Sequence, residues 1–365
     1  MKPKPITKKV ADTRSVLAQR VTLRDIAERA GVSHVTVSRV LRNDPSISAK
    51  RRAAVAKIAE EMGYRPDPAL AALATYRYAR QAHRIQSALA WVNRYEDPKQ
   101  WRRFGELYAY WVGAQKAAER FGYHLEEIIW SPTEPVKRLE KILETRGVRG
   151  ILVPPHHFPL EWVGFDWNKF SVVRFGMSVR NPDVHAVTSD QLRAVVMAME
   201  KIRQHGYERI GLIVPSDFDR HLGGNYVGGF FAAHELFDLG HLVPPLATEM
   251  AMYVHQPAKA KEALARWLQK RRPDAVLATV AAIPEMLKEI GIRVPQDLAV
   301  AGNSILDLPL DAGINQNSEM IGRIAVETLI SQINLNERGQ PVAPCRILVE
   351  SSWQDGKSLP PKNTG

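Results

Sequence analysis

The stretch RAGVSHVTVSRVLRND, residues 29–44, places a glycine ahead of a short run. That run gathers Ser33, His34, Thr36, Ser38 and Arg39 on one side and valines on the other. A helix that only packs does not need so many hydrogen-bonding groups on one face. Upstream, Thr22 has the chemistry of an N-cap, with Asp25 three residues on to favour the helix N-terminus. Leu23, Ile26, Ala27 and Ala30 then recur at helical spacing. Gly31 ends this helix by adopting a left-handed cap. Ser33 caps a second helix, whose buried face is expected to be Val37, Val40 and Leu41. Asn43-Asp44-Pro45 breaks the pattern. Ser48 is the expected cap of a third helix with Val55, Ile58, Ala59 and Met62 inside, stopped at Gly63.

Two short helices joined across Gly31-Val32, with a third to close the core, have the geometry of a helix-turn-helix. The second helix of such a unit lies in the DNA major groove with its N-terminal residues at the base edges. His34, Val35 and Thr36 occupy that N-terminus, and Arg39 follows one turn on. Arg bonds guanine O6 and N7 together, while Val35 and the Thr36 methyl suit a thymine methyl. Ser33, Ser38 and the helix amides suit phosphate oxygens. Thr22 and Asn43 complete the candidate DNA contacts. An ordinary three-helix bundle with polar outer faces would show the same bend and spacing.

The charge distribution separates the two readings. Residues 1–85 hold 18 Lys and Arg against 7 Asp and Glu, while the remaining 280 residues hold 32 of each. The whole net charge of +11 therefore sits on the first quarter of the chain. Basic charge concentrated on a structured segment attracts a polyanion, above all nucleic acid. The length of 365 residues predicts two or three domains. A single cysteine, Cys345, excludes an intramolecular disulfide and a cysteine metal cluster. No run of 18 apolar residues suggests a membrane span. The basic start MKPKPITKKVADTRS lacks the apolar region of a secretory signal. The expectation is a cytoplasmic, nucleoid-associated protein.

After about residue 85, apolar runs alternate with helical stretches. SALAWVN, HLEEIIW, GILVPP, SVVRFGM, RIGLIVP, DAVLATV and LAVAGN read as strands. Residues 104–121, 135–146, 190–205, 225–237, 257–270 and 283–290 read as helices. Such alternation means parallel sheets with helices on both faces, here two doubly wound halves with a cleft at the strand ends.

VTLRDIAERAGVSHVTVSRVLRNDPSISAKRRAAVAKIAEEMGYRPDPALAALA, from Val21 to Ala74, resembles without gaps the headpiece of the lactose-repressor (LacI/GalR) family of bacterial transcription regulators. TLRDIAERAGVS, TVSRVL and SAKRRAAV carry the similarity. The resemblance implies a hinge helix over 67–84, with Leu73 as the residue that wedges into the minor groove of a kinked duplex. Asp67-Pro68 departs from the Asn or basic residue usual there. The order of later elements, with GYERIGLIVP and IRVPQDLAVAGNS most recognisable, is similar to the family's periplasmic-binding-protein-like α/β core.

The implied organisation is a basic arm (1–20), a helix-turn-helix headpiece (21–66), the hinge and linker (67–84), a first subdomain (85–187 and 317–340), a second (188–316 and 341–355) and a tail (356–365). The three crossings between subdomains are expected near Val187, Gln316 and Pro341. Sugar-binding members carry an Arg, an Asn and an Asp in the second subdomain. These align with Tyr226, Val280 and Ser304, so none is kept, and a standard sugar effector is not expected. Trp91, Asn93, Tyr95 and Arg174, with Arg94, lie at strand ends of the first half and are candidate cleft residues or simple packing residues.

Other constellations lead nowhere. GGNYVGG (223–229) lacks the Lys-Ser/Thr of a phosphate loop. His156-His157 has no third metal ligand at a recognisable spacing, and no G-x-S-x-G is present. The expected function is a dimeric regulator, most simply a repressor, that reads a near-palindromic operator and senses a small molecule, with no catalytic residues, metal or cofactor. The alternative is a solute-binding protein of the periplasmic class without DNA function.

Overall fold

The computed structural model describes residues 21–41, 44, 46–64, 88–131, 133–156 and 162–362. The expected arm, Asn43, the hinge helix with Leu73, and His157 lie outside the described residues.

The headpiece consists of α1 (Leu23–Ala30), α2 (His34–Leu41) and α3 (Ala49–Glu61). Thr22 closes a capping box on α1. Its hydroxyl accepts the Asp25 amide at 3.4 Å, and the Asp25 carboxylate accepts the Thr22 amide at 2.7 Å. These bonds hold the Asp25 carboxyl below its ordinary value. Gly31 then turns the chain at φ 64°, a left-handed conformation that costs glycine little. Ser33 Oγ accepts the Thr36 amide at 3.1 Å and starts α2. Ser48 stands at the N-cap of α3, but its side chain makes no cap bond. Ile26, Ala27, Val37, Val40, Val55 and Ala59 form the core, with Leu23, Ala30, Ile58 and Met62 partly buried around it. Leu41, expected inside, is 37% exposed. It is the last residue of α2, and the apolar faces of α1 and α3 meet that helix only as far as Val40.

The remaining chain forms two sheets. The first contains β1 (Ala88–Asn93), β2 (His124–Ile129), β3 (Gly150–Val153), β4 (Ser171–Phe175), β5 (His185–Ser189) and β10 (Arg346–Val349), in the order β10-β5-β4-β3-β1-β2 with every pairing parallel. The second contains β6 (Ile210–Ile213), β7 (Ala275–Ala278), β8 (Ala299–Gly302), β9 (Gly313–Asn315) and β11 (Ser352–Gln354), in the order β11-β9-β8-β7-β6. Only β11 runs antiparallel to its neighbour. The central strands are buried along their whole length, as helix-covered parallel strands require.

Helices α4 (Gly105–Arg120) and α12 (Ser318–Leu335) cover one face of the first sheet, over Leu89, Trp91, Leu152, Val173 and Phe175. Helix α5 (Val136–Thr145) covers the other with Leu139 and Leu143. The second sheet lies between α6 (Gln191–Gln204) and α8 (Asn225–Phe237) on one side and α10 (Pro257–Arg271) and α11 (Ile283–Glu289) on the other. Short helices α7 (Ser216–His221) and α9 (Met250–His255) complete the second half. Where α4 crosses α12, backbone meets backbone. A Cβ on Gly113 would lie 1.9 Å from the Glu319 carbonyl oxygen, and one on Gly322 would lie 2.0 Å from that of Tyr110.

Two boundaries differ from the sequence reading. β5 continues the first sheet to Ser189, two residues past the expected crossing. β10 pairs with β5 from Arg346↔Ala186 to Val349↔Ser189, so the third crossing falls at Glu350-Ser351 rather than near Pro341. β10 is an edge strand with only Val349 buried, which is why its run of four carries little apolar signal. The expected tail is also structural. Leu359 is fully buried in the second subdomain's core, and the Val300 amide donates to the Ser358 carbonyl at 2.8 Å. Asp311 accepts the Lys357 and Ser358 amides at 2.8 and 2.9 Å, and Tyr207 donates to the Pro360 carbonyl at 2.8 Å. Leu359→Ala is expected to lower the unfolding free energy by about 2–5 kcal/mol. Urea denaturation checks this, with Val342→Ala, at a fully exposed site, leaving the midpoint unchanged.

Candidate nucleic-acid interface and ligand cleft

The headpiece presents the expected face. Ser33, His34, Val35 and Arg39 are exposed, Thr36 and Ser38 are half-buried, and Thr22 is exposed beside the start of α1. Val35 is an apolar side chain 48% exposed on a helix whose opposite side is packed, as a contact to a base methyl would require. Ser33 does two things: it caps α2, and its hydroxyl lies 2.9 Å from that of Thr36. The first-turn amides of α2 thus stand at an end with no acidic residue, which suits a phosphate.

The candidate ligand residues do not form one group. Asn93 is fully buried and saturated. Its Nδ2 donates to the Pro98 carbonyl at 2.9 Å and to Glu127 at 2.7 Å, and its Oδ1 accepts the Tyr95 amide at 3.0 Å. Tyr95 donates to the Pro155 carbonyl at 3.1 Å and stacks on His156 at 4.9 Å between ring centroids, and burial raises its hydroxyl pKa. Both hold the loop after β1 rather than face a ligand. Arg174 Nη1 donates to the Gly176 carbonyl at 2.8 Å, while its Nε is buried with no partner among the described residues. Burial, then nearby Arg346, lower its pKa. Trp91 lies in an aromatic cluster with Trp101, Trp111 and Phe175, ring centroids 5.3–5.5 Å away, and its indole N–H likewise has no partner among the described residues. Val280 packs in the apolar core on the far side of the second sheet from Tyr226. Val280 itself therefore offers the cleft no polar group.

Tyr226 and Ser304 do come together, around residues the sequence did not single out. Tyr226, in the first turn of α8, stacks on Phe218 at 6.0 Å, and its hydroxyl accepts Asn303 Nδ2 at 3.0 Å. Its amide donates to Asp219 at 2.8 Å, so Asp219 caps α8. Burial raises the Tyr226 hydroxyl. Ser304 follows β8; its hydroxyl accepts the Leu306 and Asp307 amides at 3.2 and 3.1 Å and donates to Glu106. Glu106, in the first turn of α4, also accepts the hydroxyl of Ser318 at the start of α12. The Glu106 amide donates to Asp307 at 3.2 Å. Tyr110, one turn along, stacks on Phe175 at 5.3 Å. Burial pushes the Glu106 carboxyl up to about 7 and the Tyr110 hydroxyl well above its ordinary value. Asn303 Oδ1, beside Tyr226, is buried without a partner among the described residues.

The arrangement is a DNA-reading helical headpiece followed by a two-lobed α/β core with polar and aromatic groups between the strand ends, the build of a ligand-responsive regulatory protein. Residues 22–67 match the family of bacterial regulatory proteins of the lacI type, and residues 199–359 match a periplasmic binding protein-like domain. The N-terminal segment is thus similar to the lacI family of bacterial regulatory proteins, and the later segment to periplasmic binding protein-like domains. It is 26% identical over 333 residues to the HTH-type transcriptional repressor PurR of Edwardsiella ictaluri (strain 93-146), covering 86% of this chain and 90% of that one. A solved structure of the transcriptional regulator CelR with cellobiose has the same fold, with a TM-score of 0.55, 21% identity and coverage of 93% of this chain and 100% of that one. The lac repressor dimer bound to operator and the anti-inducer ONPF does as well, with a TM-score of 0.51, 18% identity and coverage of 93% and 99%. Among the described residues no helix is long and apolar enough to cross a membrane, and no cluster of three or more His, Cys, Asp or Glu could hold a metal.

Tyr226→Phe deletes the acceptor of a buried amide and leaves Asn303 with neither side-chain atom paired. The expected cost is about 1–3 kcal/mol of core stability, read from urea unfolding.

Proposed function

We propose that this DNA-binding transcriptional regulator is a cytoplasmic repressor that binds a near-palindromic operator as a homodimer and has no catalytic activity. The observation that carries the reading is the α2 face. A capped recognition helix with Ser33, His34, Val35 and Arg39 exposed at and after its N-terminus serves no packing purpose. One headpiece reads only a few base pairs, and two copies on a two-fold site double that readout. The hinge, with Leu73 as its wedge, supplies the minor-groove kink in this reading. The periplasmic solute-binding alternative leaves the exposed α2 face without a role.

The core senses a small effector whose binding selects between two arrangements of the subdomains and so sets operator affinity. Tyr226 and Ser304, joined by Glu106, Tyr110 and Asn303, are the proposed effector residues. Tyr226, Val280 and Ser304 stand where sugar-binding members keep Arg, Asn and Asp, so a standard sugar is not the proposed ligand.

Selection from a random duplex library with the purified full chain at near-physiological salt tests this. Recovery of a two-fold symmetric site with a central pyrimidine–purine step is expected; only salt-sensitive, sequence-blind binding would overturn the reading. Arg39→Ala should weaken specific binding by about 1–3 kcal/mol and relax one base position per half-site, leaving random-sequence binding far less affected. Leu73→Ala should reduce operator bending in a gel-phasing assay without changing the unfolding midpoint of the core.

A further inference from the structure

The two subdomains meet through one buried carboxyl. Glu106 belongs to α4 of the first subdomain and is 5% exposed. One of its oxygens takes the hydroxyl of Ser304, from the loop after β8 of the second subdomain; the other takes that of Ser318, just past the Gln316 crossing. The same turn is held twice more from across the cleft. Asp307 accepts the Glu106 amide, and the Leu306 backbone lies so close to Gly105 that a Cβ there would stand 2.4 Å from its carbonyl oxygen.

Among the described residues no cation compensates this carboxyl. Glu106 forms no ion pair among the described residues. The titratable groups facing it are Tyr110 on its own helix, Asp307 on the β8 loop, Tyr226 on α8 and, behind Tyr226, Asp219. All of these are acidic or neutral. A carboxylate moved from water into such a place loses its hydration and gains two hydroxyl bonds and repulsion from Asp307.

We propose that Glu106 is a proton-operated latch: closing α4 onto the β8 loop takes up one proton at this carboxyl, and opening the cleft releases it.

The hydroxyl bonds persist in the acid form, because a carboxylic acid still offers acceptor lone pairs. The sign follows from the two environments. The buried carboxyl titrates at about 7, against 4.5 for an ordinary glutamate. Between these values the closed core holds a proton that the open core lacks, so closure is favoured as pH falls through 7 and the gain is complete below 4.5. At most the closing equilibrium changes by about 300-fold. The further step, from closure to operator affinity, rests on the regulator reading above; the latch itself does not.

The experiment reads closure without DNA. Donor and acceptor dyes are placed on Lys141→Cys and Lys270→Cys, both exposed and one on each subdomain, in a Cys345→Ser full chain. Single-molecule energy transfer is recorded from pH 5 to pH 9. The expected result is a population that shifts from a longer to a shorter distance as pH falls from 7 towards 4.5. Glu106→Gln, neutral at every pH, should stay at the short distance throughout. Ser304→Ala, which removes a hydroxyl bond made across the closed cleft, should move the midpoint to lower pH. An unchanged distance distribution in the wild-type chain, or the same titration in Glu106→Gln, overturns the latch. A pH-dependent closure with no effect on operator binding would leave the latch standing and remove its link to regulation.

Discussion

The backbone contact between α4 and α12 is the constraint on which the cleft depends. Gly113 and Gly322 each face a carbonyl oxygen of the other helix at a distance no side chain permits. This crossing places the first turn of α4 beside the first turn of α12, so Glu106 reaches Ser318. Because α12 begins directly after the crossing at Gln316, the same contact ties the first subdomain to the strand ends of the second. Gln316 Nε2 donates to the Asn303 carbonyl at 3.1 Å and its Oε1 accepts Ser189 Oγ at 2.9 Å, linking both sheets through one side chain. Asn303 in turn fixes Tyr226. The polar floor of the cleft is thus a continuous hydrogen-bonded chain from β5 to α8, and backbone packing sets its origin.

The energetics divide by depth. The strands are held by apolar burial on both sheet faces, which is insensitive to small changes in charge. The cleft is held by a few hydrogen bonds around an acid in a low-dielectric place, where each bond is stronger than in water and each unpaired group is costly. Exposed ion pairs such as Lys116–Glu319 and Arg120–Glu327, which also join α4 to α12, add little by comparison. Subdomain architecture and subdomain spacing therefore respond to different forces.

Most of the framework was legible because it rests on periodicity. The Gly31 bend, the capping pair Thr22 and Asp25, and the continuous apolar runs of the buried strands each report a local physical need. The exposed face of α2 was legible for a related reason: polar and apolar groups crowd one side of a helix whose other side packs. Leu41 was misread because helical spacing does not say where a neighbouring helix ends. β10 was missed because an edge strand with one buried residue has no pattern to show. Glu106 was invisible for a deeper reason. An acidic residue in the first turn of a helix already has a sufficient explanation in the helix dipole, and only the tertiary contact with Ser304 and Ser318 reveals another. Of the three positions singled out by alignment, Tyr226 and Ser304 lie in one hydrogen-bonded group, while Val280 packs on the opposite face of its sheet.

The buried Leu359 also orders the events of synthesis. A ribosome makes the chain from its N-terminus, so the apolar core of α1–α3 is complete once residue 64 has emerged. The first sheet waits for its edge strand at 346–349, and the second waits longer still, for the segment that carries Leu359 and Pro360. A chain cut short before Leu359 would carry a complete three-helix core on a second sheet whose own core is incomplete. The second subdomain's core thus depends on residues that are translated about 300 positions after the headpiece core is complete.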